Sequence, residues 1–97
     1  MNTEIKIIAI CGSLRESSHT RRALEISLAG AKQVGVKIEL IDLRTYNLVF
    51  CDGNSKNEYP QDVLKLRERV RSAHGVILGT PEYHGSYSGV LKNALDL

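Results

Sequence analysis

Several things are scarce in this chain of 97 residues, and each scarcity narrows what it can do. Charge of one sign is missing: thirteen Lys and Arg are interleaved with eleven Asp and Glu, for a formal net charge of +2. The most basic stretch, Lys65 to Arg71, is broken by Glu68 and reads as a solvated helix face. Nucleic-acid binding wants a basic stripe, so no nucleic-acid partner is expected. No run of about eighteen apolar residues exists, so no membrane span is expected either. Met1 to Lys6 leads straight into a strand pattern without the layout of a signal peptide, which points to the cytoplasm. Of the two cysteines, Cys11 ends an apolar run and Cys51 lies in a polar stretch, and no metal-ligand spacing joins them. They read as free thiols of a reducing compartment. Repeats, low-complexity tracts and linkers are absent, and the length suits one domain, residues 1–97.

What is present is a regular alternation. Ile5 to Cys11 is almost wholly apolar and rich in branched residues, as in a strand buried on both faces of a parallel sheet. From Thr20 to Val34 the apolar Leu24, Leu28 and Ala31 recur at helical spacing, and Gly35 is placed to end that helix in the left-handed conformation. In Val36 to Ile41, Lys37 and Glu39 alternate with apolar residues, as on an edge strand. A long connection, Asp42 to Pro60, turns around Asp52-Gly53-Asn54-Ser55. Pro60 can open a second helix striped by Val63, Leu66, Val70 and Ala73. Gly75 to Gly79 is a short apolar strand, and Gly89 to Leu97 begins a third helix with Leu91, Ala94 and Leu95 apolar. The order β-α-β-α-β-α implies an α/β fold with a parallel sheet and right-handed crossovers. With the second strand at an edge, the sheet starts 2-1-3, as in the doubly wound flavodoxin-like order, whose ligands bind beyond the carboxyl ends of strands 1 and 3.

The two unusual loops fall at those two ends. Gly12 to Thr20 joins the first strand to a helix N-terminus, where unpaired N–H groups and the helix dipole favour an anion. Ser13, Ser17, Ser18 and Thr20 add hydroxyls, and Arg15 adds a fixed charge that can grip phosphate oxygens. Ser18 or Thr20 can equally be a plain helix N-cap. The P-loop pattern and G-x-G-x-x-G are both absent. Gly12 and Ser13 stand where a magnesium-dependent receiver domain would need acidic residues. The second loop, Thr80 to Gly89, carries Pro81, two glycines, and Tyr83 and Tyr87 from a chain with four Tyr, one Phe and no Trp. Two tyrosines on a polar loop at this position read as a ledge for a flat ring. His84 is open as an acid, as a hydrogen-bond donor to a ligand, or as a surface histidine.

These two loops resemble the signatures of the NADPH-dependent FMN reductases, the flavodoxin-like family of bacterial flavin, azo-dye, quinone and chromate reductases. The first signature, G-S-L-R-x-x-S-x-[NT], is matched from Gly12 to Thr20. The second, T-P-E-Y-[NH]-x-S-x-x-G-x-L-K-N-A-[IL]-D, is matched from Thr80 to Asp96. The resemblance implies that Ser13, Arg15, Ser18 and Thr20 hold the phosphate of FMN. It implies that Pro81, Glu82, Tyr83 and His84 run along the flavin ring, with Gly85 and Ser86 close by. It implies NADPH or NADH as co-substrate and hydride transfer through FMN to a small-molecule electron acceptor, in a homo-oligomer, dimer or tetramer. The flavin carries that chemistry, so no side chain is nominated as a catalytic residue.

At position 84 many members carry Asn, which puts a hydrogen bond to the ring in question here. Members also continue through a fourth strand, a glycine-rich loop, a fifth strand and a last helix. The resemblance therefore implies a sheet that stops before strands 4 and 5. Two rival readings are a flavodoxin-type electron carrier without NAD(P)H activity and a non-catalytic fragment.

Overall fold

The computed structural model describes residues 4–53 and 59–97. Asn54 and Ser55, placed by the sequence at the centre of the long connection, lie outside the described residues. The elements run β1 (Lys6–Cys11), α1 (His19–Gln33), β2 (Lys37–Asp42), a 3-10 turn (Leu43–Thr45), α2 (Gln61–Ser72), β3 (Gly75–Gly79), β4 (Glu82–Tyr83), β5 (Ser86–Tyr87) and α3 (Gly89–Asp96).

The three long strands form a parallel sheet in the order β2-β1-β3, as the strand patterns predict. β1 is central, and its side chains alternate between two cores. Ile8 and Ile10 join Ile41, Leu43, Leu66, Leu91 and Ala94 on one face. Ala9 and Cys11 join Leu24 and Leu28 of α1 on the other. This follows from handedness. The chain steps from β1 to β2 one way and from β2 back past β1 to β3 the other way. Right-handed crossovers then put α1 and α2 on opposite faces.

Local signals account for the ends. Ser18 caps α1 and Ser88 caps α3, each accepting an N–H from three residues on. Gly35 takes φ +92 just past the α1 C-cap, the left-handed stop expected of it. Pro60 sits one residue earlier than a first-turn proline, at the N-cap of α2, where its C=O accepts from Val63 N–H at 3.0 Å. The stripe on α2 is also shorter than its sequence suggests. Val63 and Leu66 are buried, whereas Val70 is exposed and Ala73 lies at the C-cap. At the edge, Glu39 of β2 pairs with Lys6 at 2.9 Å and with Arg69 of α2. Cys11 and Cys51 are both free thiols.

β3 departs from its expected surroundings. It pairs with β1 and, among the described residues, with no strand on its other side. Val76 and Leu78 are consequently 43% and 48% exposed. No helix of the described residues is long and apolar enough to cross a membrane.

Candidate functional site

Parallel pairing brings the two signature loops together. Cys11 stands in register with Gly79, so the chain leaves β1 and β3 side by side at the same end of the sheet. The exits are then tied. Gly12 N–H donates to Gly79 C=O at 2.8 Å. The Ser88 hydroxyl, fully buried, donates to Gly12 C=O at 2.7 Å and accepts from Leu91 N–H at 3.1 Å. Thr80 Oγ1 accepts from Ser88 N–H and donates to Pro81 C=O, both at 2.8 Å. Gly12 is required by space: a Cβ there would lie 2.8 Å from Leu91 Cβ and 3.0 Å from Ser88 Oγ.

Beyond Gly12 the first loop presents hydrogen-bond donors. Ser13 and Ser18 are 3% and 1% exposed. Ser13 Oγ accepts from Arg15 N–H at 3.3 Å, and Ser18 Oγ accepts from Arg21 N–H at 3.0 Å. Ser18 is therefore the helix N-cap, the plainer of its two readings. Its hydroxyl proton remains available to a ligand, because accepting uses only the oxygen's lone pairs. The backbone N–H groups of Glu16, Ser17, Ser18, His19 and Thr20 have no partner among the described residues. The first turn of α1 contains no acidic residue. The exposed Arg15 side chain makes no hydrogen bond or ion pair among the described residues, and Thr20 is half-buried in the first turn. Unpaired amides, a positive helix end and a free guanidinium make a donor set for an anion of phosphate size. An FMN phosphate fits that donor set.

The second loop is a β-hairpin, which the sequence does not announce. β4 and β5 pair antiparallel, Glu82 with Tyr87 and Tyr83 with Ser86. His84 and Gly85 form the connection at φ 53 and φ 79. Two consecutive positive φ values are those of a type I′ turn. Directly opposed residues share a face and successive residues alternate. Tyr83 and Tyr87 therefore point to opposite faces, so the two do not make one ledge. Half-buried Pro81 leads into the hairpin, and Glu82, Tyr83, His84, Gly85 and Ser86 are all exposed along it.

A third wall comes from the connection after β2. It lines an open cleft of about 740 Å³ whose other walls include Leu14 of the first loop, Val90 and Asn93, with Tyr46, Leu48 and Phe50 on the connection's own side. Asn93 fixes this wall with both ends of its amide. Its Nδ2 donates to Val49 C=O, and its Oδ1 accepts from Cys51 N–H, each at 2.9 Å. Phe50, between these two clamped residues, is 86% exposed. The Cys51 thiol donates to Asp96 C=O at 3.5 Å. Burial raises the pKa of the Tyr46 phenol, and the Asp62 carboxylate adds to it.

Comparison with known proteins decides the lineage. The sequence profile of the NADPH-dependent FMN reductases matches residues 5–97. The chain belongs to that family. An NAD(P)H-dependent FAD/FMN reductase of Geobacillus thermodenitrificans is 38% identical over 95 residues, spanning 96% of this chain and 51% of the relative. An NAD(P)H-dependent FMN reductase of Pseudomonas aeruginosa is 38% identical over 96 residues, 99% of this chain and 51% of the relative. An FMN-dependent NADPH-azoreductase of Staphylococcus aureus is 38% identical over 96 residues, 95% of this chain and 51% of the relative. The chain thus spans about half the length of the curated relatives it matches. A solved structure named flavone reductase aligns with a TM-score of 0.79 at 23% identity, over 95% of this chain and 29% of its own. That likeness supports the fold.

Within this family frame, sequence reasoning passed over Gly12, Thr80 and Ser88, which join the loops, and Asn93, which holds the third wall. Gly12 is a specified position of the first signature and Thr80 and Asn93 of the second, so a signal was present for them, whereas Ser88 falls at an unspecified position. What the sequence hides is the partner: Ser88 reaches back 76 positions and Asn93 reaches 42 and 44.

Proposed function

We propose that this chain is the FMN-binding unit, residues 1–97, of an FMN-dependent NAD(P)H oxidoreductase that passes hydride to a small-molecule acceptor. The acceptor class is a flavin, a quinone, an azo compound or a metal oxyanion. The observation that carries this reading is the row of unpaired amides from Glu16 to Thr20 beside the buried Ser13 and Ser18. It lies at the carboxyl end of the central strand, in a chain of the FMN reductase family. The names of the reductase and azoreductase relatives support the same activity.

In this reading the amides, Ser13, Ser18, Thr20 and the Arg15 guanidinium hold the FMN phosphate. Pro81, Glu82, Tyr83, His84, Gly85 and Ser86 flank the flavin ring. Bound FMN supplies the hydride chemistry, from NADPH or NADH to the acceptor. The protein's residues bind and orient, and none acts as nucleophile or general base. A cytoplasmic location is part of the proposal, supported by two free thiols. Assembly into a homo-oligomer is too, supported by the exposed Phe50, Val76 and Leu78.

The test is a titration with FMN followed by anaerobic addition of NADPH. Binding with bleaching of the flavin band is expected. Binding without bleaching by NADPH or NADH would instead favour a one-electron carrier. Arg15→Ala should weaken FMN binding by about 1.5–3 kcal/mol, the range for a charge-assisted hydrogen bond, with the circular dichroism unchanged. Unaltered affinity would remove the phosphate from this loop.

A further inference from the structure

Arg21 lies one turn into α1, outside both sets of residues assigned above. Its side chain is 20% exposed and folds back over the first loop. Nη1 donates to Arg15 C=O at 3.4 Å, and Nη2 donates to Glu16 C=O. Nη1 also pairs with Asp42 Oδ2 at 3.7 Å. Asp42 is itself fixed at the end of β2, where its Oδ1 accepts from Arg44 N–H at 3.1 Å. The guanidinium is thus held from the sheet edge, and it holds two consecutive peptide groups of the loop.

A trans peptide is planar, so its C=O and the following N–H point in opposite directions. Fixing the carbonyls of Arg15 and Glu16 on Arg21 turns the N–H groups of Glu16 and Ser17 away from it. Those are the first two of the five unpaired amides. If either peptide flipped, a carbonyl oxygen would take the place of a donor and would repel an anion. We infer that Arg21 is a positioning residue for the phosphate loop: it sets the direction of the loop's peptide groups so that donors rather than acceptors face the flavin phosphate. This rests on the phosphate reading given above and deepens it. Selectivity for FMN over riboflavin is then controlled partly by a side chain that need not touch the ligand. A fork gripping two carbonyls and a carboxylate is required for this, and a point charge does not substitute for it.

The experiment measures FMN and riboflavin affinities of the full chain for the wild type, Arg15→Ala, Arg21→Gln, Arg21→Lys and Asp42→Asn. The backbone amide chemical shifts of Glu16 and Ser17 are followed in the ligand-free proteins. Both Arg21 variants should lose FMN affinity on the order of tenfold while riboflavin affinity changes less than about twofold. Asp42→Asn should show a smaller loss of the same kind. The Glu16 and Ser17 amide resonances should shift in Arg21→Gln, because the carbonyls of the same peptide groups lose their donor. Parallel loss of FMN and riboflavin affinity would mean general structural support and would overturn the inference. Full rescue by Arg21→Lys would mean charge alone and would overturn it as well. So would unchanged FMN affinity or unchanged Glu16 and Ser17 amide resonances in Arg21→Gln while Arg15→Ala still weakens binding. If Arg15→Ala changes nothing and the wild type does not prefer FMN to riboflavin, the phosphate reading itself fails and the inference falls with it.

Discussion

His84 occupies a conformation that most side chains avoid. At φ 53 it is the one described non-glycine residue with a positive φ, and Gly85 follows at φ 79. Asn, Asp and His enter this region more readily than other L-residues, and β-branched residues are strongly disfavoured there. The alternation of Asn and His at this signature position therefore has a backbone reason, independent of any bond to the flavin. Asn-Gly is the plainest short signal for a type I′ hairpin. With His in place of Asn, that signal is hidden in the sequence. His84→Asn should leave stability within about 0.5 kcal/mol, whereas His84→Val should cost about 1–2 kcal/mol from strain. Urea unfolding of the two variants measures both, and equal stabilities would remove the backbone explanation.

Elements with a repeating pattern are legible in the sequence. The branched apolar run of β1, the Leu24–Leu28 spacing of α1 and the stop at Gly35 all stand where periodicity puts them. The connection between Asp42 and Pro60 has no period, and its order comes from elsewhere. The Asn93 amide takes the place of a neighbouring strand, meeting one C=O and one N–H on either side of Phe50. Asn93→Ala should cost about 1–2 kcal/mol for two hydrogen bonds. It should also open the Val49–Cys51 segment to proteolysis at Phe50. Asn93→Asp keeps the acceptor for Cys51 N–H and loses the donor to Val49, so an intermediate effect is expected. Limited digestion beside thermal melts checks the order; a protected Phe50 in Asn93→Ala would show that the amide does not hold the segment.

Across the whole molecule, the sheet order was readable because polar residues alternate in β2, whereas β1 carries only Lys6 at its start and β3 none. The same apolar pattern leaves β3 exposed, with Val76 and Leu78 partly open and no Lys, Pro or bulge within the strand. Natural edges are rarely left so. The outer side of β3 is therefore expected to be covered in the working protein, by a further strand of the polypeptide or by a second copy. Sedimentation at low micromolar concentration, with hydrogen exchange at Val76 to Leu78, reads this directly. A monomer whose β3 amides exchange freely would contradict it. The hydroxyl of Ser88 carries a consequence for the order of assembly. It fixes Gly12 from 76 positions away, so the root of the first loop made is among the last points to be set. Closing so long a loop costs chain entropy before any contact repays it. During synthesis, β1 and α1 can form early, yet Gly12, where the turn between them begins, lacks its tie to Ser88 until α3 has left the ribosome and docked.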